Sequence, residues 1–168
     1  MGRGKHGFSL IELLIVVAII LIIAALAIPS LQRSRMAANE SSAVASLRQL
    51  NNAEVTFAMT YNSGYTDGFN RLGPPVGGAQ PDVTAADLVD PVLSGKVSGG
   101  NTVMTKSGYV FTYIPEGSNL SFGFIAAYAI GADPTLRGGT GQRSFYTNEP
   151  LVIRGNNSAP ATVTDTPI

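Results

Sequence analysis

Apolar residues are concentrated at the start of this chain. Residues 13–28 are drawn only from Leu, Ile, Val and Ala, and counted from Phe8 the apolar segment reaches 21 residues, with Glu12 as its one charge. At about 1.5 Å per residue, a helix of that length spans the ~30 Å hydrocarbon core of a bilayer. Pro29 ends the run; inside a helical pattern it removes one hydrogen bond and kinks or breaks the helix. Residues 30–61 then contain no Pro or Gly and are rich in Ala, Leu, Arg, Gln and Glu, so the helix is expected to resume. Leu47, Leu50, Ala53, Phe57 and Tyr61 fall within an arc of roughly 120°, the stripe of a helix that lies on a sheet. The small residues Ser34, Ala37, Ala38, Ser41, Ser42, Ala43, Ala45 and Ser46 predict a close approach of neighbouring helices. Together these features predict one long, bent helix over residues 8–61.

After Tyr61 the pattern changes, since 16 of the 19 glycines and 9 of the 10 prolines lie in residues 62–168. Turn-rich structure replaces long helices there. Residues 62–106 read as an irregular connector holding one short helix at 85–89. Thr84 and Asp87 would form its capping box, and Pro91 would end it. Residues 109–114 place Tyr109, Phe111 and Tyr113 on one face, and residues 122–130 do the same with Phe122, Phe124, Ala126, Tyr128 and Ile130. These are two antiparallel strands. Residues 143–147 and 151–154 flank the turn Asn148-Glu149-Pro150 and predict a hairpin. The fold class is therefore α+β: a long N-terminal helix, apolar and then amphipathic, packed on a small antiparallel sheet of about four strands. The tail, residues 155–168, must be held by hydrogen bonds, by neighbouring subunits, or be left mobile, because the chain has no cysteine to close it with a disulfide.

Composition narrows the function classes. Eleven Lys and Arg balance eleven Asp and Glu, so no basic field points to nucleic acid. The absence of cysteine removes thiolate metal sites and Cys nucleophiles, and the single His6 removes His-rich metal sites and most Ser-His arrangements. Residues 137–144 lack the lysine of a phosphate loop and carry Arg143 where its second glycine would stand, so they read as a glycine-rich turn. Phe57, Tyr61 and Tyr65 read as core. No spacing supports catalysis, and the chain is expected not to be an enzyme.

Glu12 is the position that needs explaining. An acidic side chain in a membrane helix costs roughly 2.5 to 3.5 kcal/mol on insertion scales. A cleaved secretory signal is one alternative, since Arg3, Lys5 and His6 make a basic start and Ala25-Leu26-Ala27 an A-x-A site. Its apolar stretch is longer than the usual 7 to 15 residues, and Glu12 would weaken it. A plain membrane anchor accounts for the length and leaves Glu12 without a role. Flanking charge does not orient the span, because Arg33 and Arg35 follow it as Arg3 and Lys5 precede it.

Gly7, Phe8, Ser9, Leu10, Ile11 and Glu12, with a short basic leader before them and an unbroken apolar run after, resemble the processing motif of type IV prepilins and type II secretion pseudopilins. The resemblance implies a prepilin peptidase/methyltransferase that cuts between Gly7 and Phe8 and N-methylates Phe8. The leader, residues 1–7, would be cytoplasmic and the head outside a bacterial inner membrane. Residues 8–29 would be the transmembrane and assembly helix, 30–61 its amphipathic continuation, 62–154 the head and 155–168 the tail. Cutting after Gly7 creates an α-amino group that carries a positive charge, with an ordinary pKa of about 7.7 to 8. In the family, the carboxylate at the position of Glu12 meets that amine on a neighbouring subunit, and the proline at the position of Pro29 marks a flexible or locally melted region within the filament. The partners implied are other copies in a homo-oligomeric filament, inner-membrane lipid, an assembly ATPase and a membrane platform. The function implied is that of a type IV pilus subunit; a major pseudopilin of a type II secretion system shares the same leader and helix. Major pseudopilins often carry calcium in the head, for which Asp133 and Glu149 are the candidate ligands here; no other cofactor is expected. A secreted or membrane-anchored binding domain is the reading from a different class.

Overall fold

The computed structural model describes residues 9–95, 102–119 and 124–168. It divides into two compact units, Met1–Arg35 and Met36–Ile168. One helix, α1 (Leu10–Tyr61), begins in the first unit and ends in the second, and its helical assignment continues through Pro29. Pro29 has no N–H to donate to the carbonyl four residues earlier, yet good helix formers on both sides keep the dihedrals helical.

In the second unit the strands run as an antiparallel meander in the order β1 (Val103–Lys106), β2 (Tyr109–Asn119), β3 (Phe124–Pro134), β4 (Ser144–Asn148), β5 (Arg154–Asn156) and β6 (Thr166–Pro167). The architecture is the expected α+β layout, with six strands in place of about four. β1 is the first addition. Lys106 pairs with Tyr109 across the two-residue loop Ser107-Gly108, and both loop residues take positive φ, as a type I′ hairpin turn requires. β6 is the second: Thr166 and Pro167 pair with Gly155 and Arg154, and Ile168 N–H donates to the Ile153 carbonyl. The tail is thus held by hydrogen bonds. Asp165 adds to them, accepting from Thr162 N–H and Oγ1 and from Asn156 Nδ2.

Two local expectations are corrected. No helix forms at residues 85–89. Asp82 Oδ1 accepts from the Thr84 N–H, the Thr84 hydroxyl and the Ala85 N–H, making a turn. Asp87 sits at φ 55°, outside the helical region, and Ala86, Leu88 and Val89 donate their N–H groups to carbonyls of Arg71 and Leu72. The second hairpin arm also starts later than expected. Leu151 at φ 64° closes a turn onto the Asn148 carbonyl, so β5 begins at Arg154 instead of at residue 151. Phe122 lies outside the described residues.

The core forms between the sheet and the second half of α1. Leu47, Leu50, Ala53 and Phe57 are buried against Phe111, Tyr113, Tyr128 and Ile130, with Tyr61 packed at the edge. Ala43 and Ser46 belong to this buried face as well, so these two small residues serve the packing of the head and do not serve helix-to-helix approach. Directed polar contacts fix the helix to the sheet. Glu40 accepts from the backbone of Gln142 and Arg143 and pairs with Arg143 Nε at 2.9 Å, and Asn39 donates to the Thr140 carbonyl. These backbone and guanidinium donors outweigh burial and hold the Glu40 carboxyl below its ordinary value. Further along, Asn51 donates to Thr147 Oγ1 and accepts from Tyr128 OH.

Gly141 is required for the packing of this seam. A Cβ there would collide with the hydroxyl of Tyr109, a fully buried ring whose O–H donates to the Arg143 carbonyl at 2.7 Å. Gly141→Ala is expected to destabilise the head by about 1–3 kcal/mol. This would lower its thermal midpoint by roughly 5–10 °C. Gly131→Ala is the control, since a Cβ there meets nothing within 4 Å. Equal midpoints for the two variants would contradict this account of the seam.

Candidate functional site

The candidate site is the first turn of α1 and the apolar surface that follows it. Ser9 immediately precedes the helix, and the Glu12 carboxylate turns back to accept the Ser9 N–H at 2.9 Å, while the Glu12 N–H donates to the Ser9 carbonyl at 3.1 Å. Ser9-Leu10-Ile11-Glu12 therefore makes the glutamate half of a capping box, in which the glutamate at the third helical position satisfies a backbone donor that the helix cannot. A negative charge in the first turn also lies favourably in the field of the helix dipole. Glu12 thus has a partner within its own chain. That partner has a local signature that the reading of Glu12 from the sequence did not use: serine followed three residues later by glutamate and then an apolar run.

From Leu10 to Ile28 the large apolar side chains are uncovered, with exposures between 47% and 81%. Soluble monomers rarely expose contiguous apolar patches beyond a few hundred Å², and a larger surface marks a membrane or protein interface. This helix is long and apolar enough to cross a membrane. Four of its residues, Leu10, Leu13, Leu14 and Val17, line a shallow, almost wholly apolar groove beside the capping box. Van der Waals packing against another apolar helix, or against acyl chains, is the chemistry such a surface offers.

Of the other residues singled out, Gly7 and Phe8 lie outside the described residues. Pro29 stands within α1, one residue beyond Ile28. Asp133 and Glu149 are not brought together. Asp133 lies near the end of β3, whereas Glu149 follows Asn148, whose partner is Ala129. About 13 Å of strand separates Ala129 from Asp133. Among the described residues, no group of three or more His, Cys, Asp or Glu converges to hold a metal.

One buried polar cluster in the head also went unread. Glu54 is fully buried within the apolar stripe of α1 and is bonded to Thr66 in the segment that follows the helix. Its position, four residues after Leu50 and three before Phe57, already put it on the core face.

Compared with known families, residues 2–28 match the prokaryotic N-terminal methylation motif. No curated protein and no solved structure shows significant similarity to the chain.

Proposed function

We propose that this chain, whose residues 2–28 carry the prepilin-type leader of type IV pilins and pseudopilins, is a structural subunit of a type IV pilus-like filament. The observation that carries this reading is the methylation motif running directly into an uncovered apolar helix. The motif marks a family of structural subunits that are generally non-enzymatic, and together with the apolar helix it supports membrane anchoring.

In this reading a prepilin peptidase cuts between Gly7 and Phe8 and methylates the Phe8 amine. The cut leaves a cation four residues from Glu12, near the amide that Glu12 now accepts. A copy arriving from the membrane sets its amine against the Glu12 carboxylate of a neighbour, while the apolar surfaces of the helices pack together. Moving apolar side chains from lipid into a helix bundle gains little from the hydrophobic effect, so van der Waals fit and the charge pair set the register. An assembly ATPase and a membrane platform supply the work. Pro29 is the point at which the helix loses a backbone hydrogen bond and yields most easily within the filament. The leader stays cytoplasmic and the head lies outside the inner membrane.

The separation of Asp133 and Glu149 supports a pilus subunit over a secretion pseudopilin, because the resemblance associates a calcium site with the latter. A thermal midpoint that rises on adding calcium would shift the assignment to a pseudopilin. The decisive experiment is the intact mass and N-terminal peptide of the protein sheared from its own cells. An N-methylated Phe8 start in a sedimenting fraction is the expected result. A chain starting at Ile28 would mean an ordinary secreted domain, and the roles given to Gly7, Phe8 and Glu12 would fall together.

A further inference from the structure

Glu54 Oε2 accepts the Thr66 N–H at 3.0 Å, and Glu54 Oε1 stands 2.6 Å from Thr66 Oγ1. Thr66 Oγ1 is also 3.0 Å from the Gly68 carbonyl oxygen and 3.2 Å from Tyr113 OH, and Tyr113 OH donates to the Thr66 carbonyl at 2.8 Å. Counting hydrogens tells the protonation states apart. The Thr66 and Tyr113 hydroxyls own one hydrogen each, and the Gly68 and Thr66 carbonyls can only accept. With Glu54 ionised, its Oε1 and the Gly68 carbonyl compete for the single Thr66 hydrogen, and a buried charge stands without a cation. With Glu54 neutral, its O–H donates to Thr66 Oγ1, Thr66 donates to the Gly68 carbonyl and Tyr113 to the Thr66 carbonyl, so that of these contacts only the 3.2 Å approach of Thr66 Oγ1 to Tyr113 OH carries no hydrogen.

We propose that Glu54 is a proton-held latch: as a neutral acid it completes the cluster that ties the segment Thr66–Gly68 to α1, and its deprotonation loosens that tie. The segment so held also lies along β3, where Tyr65 N–H donates to the Ile125 carbonyl beyond the reach of β4. The groups that face Glu54 reinforce the neutral form. Tyr113 from β2 and Tyr128 from β3 are phenols kept neutral by burial, and Asp67, itself bridged to Arg71 at 2.8 Å, repels a second negative charge. Among the described residues, no Lys, Arg or His is paired with Glu54. Burial is the largest influence and pushes the carboxyl up to about 7, against the opposing bonds from Thr66 and Tyr113.

The folded head then binds a proton that the unfolded chain, with an ordinary glutamate value of 4.5, has already released. Stability falls as pH rises between those values, and the loss is complete above about 7. The lowered carboxyls Glu40 and Asp165 act in the opposite sense, below the ordinary carboxylate range. The test is the thermal and urea midpoint of the full chain in detergent micelles from pH 5 to 8, with Glu54→Gln as the comparison. Wild type is expected to lose stability by up to tenfold in its folding equilibrium constant per pH unit between pH 5 and 7. Glu54→Gln, whose amide donates to Thr66 Oγ1 as the acid does, is expected to lack that slope. His6 is retained in both proteins and cancels in the comparison. A flat wild-type profile, or the same slope in both proteins, overturns the proposal. Should Glu54→Gln fail to fold, the side-chain carboxyl-carbon resonance of Glu54 in wild type decides: titration near neutrality supports the latch, and titration at an ordinary glutamate value refutes it.

Discussion

Replacing Glu12 by alanine is expected to abolish filament assembly while leaving the chain in its membrane. Insertion becomes easier by roughly 2.5–3.5 kcal/mol when a carboxylate is removed from an apolar helix, so membrane-fraction yield should hold or rise. Assembly responds in the opposite direction. Each neighbour's amine would lose its counter-charge, and breaking a buried pair from one side costs about 3–5 kcal/mol. That is roughly a hundredfold to several thousandfold in each subunit contact, enough to reduce sheared filament to a trace. The capping box introduces a second explanation that must be separated from the first, since Glu12 also accepts the Ser9 N–H at the helix start. Glutamine serves at that position of a capping box as well as glutamate does. Glu12→Gln therefore keeps the cap and removes the charge. If the charge pair drives register, glutamine fails to assemble as alanine does. Filament yield from glutamine near that of wild type would assign Glu12 to the cap alone.

What the sequence made legible follows the range of the interactions involved. The apolar run, the buried stripe Leu47, Leu50, Ala53 and Phe57, and the alternation through β2 all express one periodic face meeting one environment, and period can be read without partners. The hairpin loop Ser107-Gly108 and the Ser9–Glu12 capping box were equally local and were overlooked, although each carries a known short signature. The failure at residues 85–89 has a different cause. Thr84 and Asp87 have capping-box spacing, but Asp82 two residues earlier captures the same Thr84 amide, and the backbone of residues 86–89 finds its acceptors at Arg71, Leu72 and Gly73 instead. A local signal was outcompeted by a pairing distant in sequence. β6 and the Glu54 cluster depend on distant partners in the same way. Nothing in Thr166 and Pro167 alone announces that they return to pair with Gly155 and Arg154.

Phe57→Ala is expected to be the most damaging single change in the head. Phe57 is 1% exposed, and its ring centroid lies 4.9 Å from that of Tyr61 within the cluster where α1 meets the sheet. Truncating a buried phenylalanine costs about 3–5 kcal/mol through lost transfer energy and the cavity left behind. Domains of this size have about 5–15 kcal/mol in total, so the loss takes a fifth or more of the head's stability and lowers its thermal midpoint by roughly 10–20 °C. Met59, two positions on and 80% exposed, belongs to the opposite face of the same helix. Met59→Ala is accordingly expected to stay within about 0.5 kcal/mol of wild type. Thermal melts of the two variants in micelles, followed by circular dichroism, make the comparison. Equal shifts would mean that α1 does not pack on the sheet through this stripe. The expected disparity would tie the stability of the head to the same helix whose first half is long and apolar enough to cross a membrane, so that a chain with a melted head would also lose the ordered end of that helix.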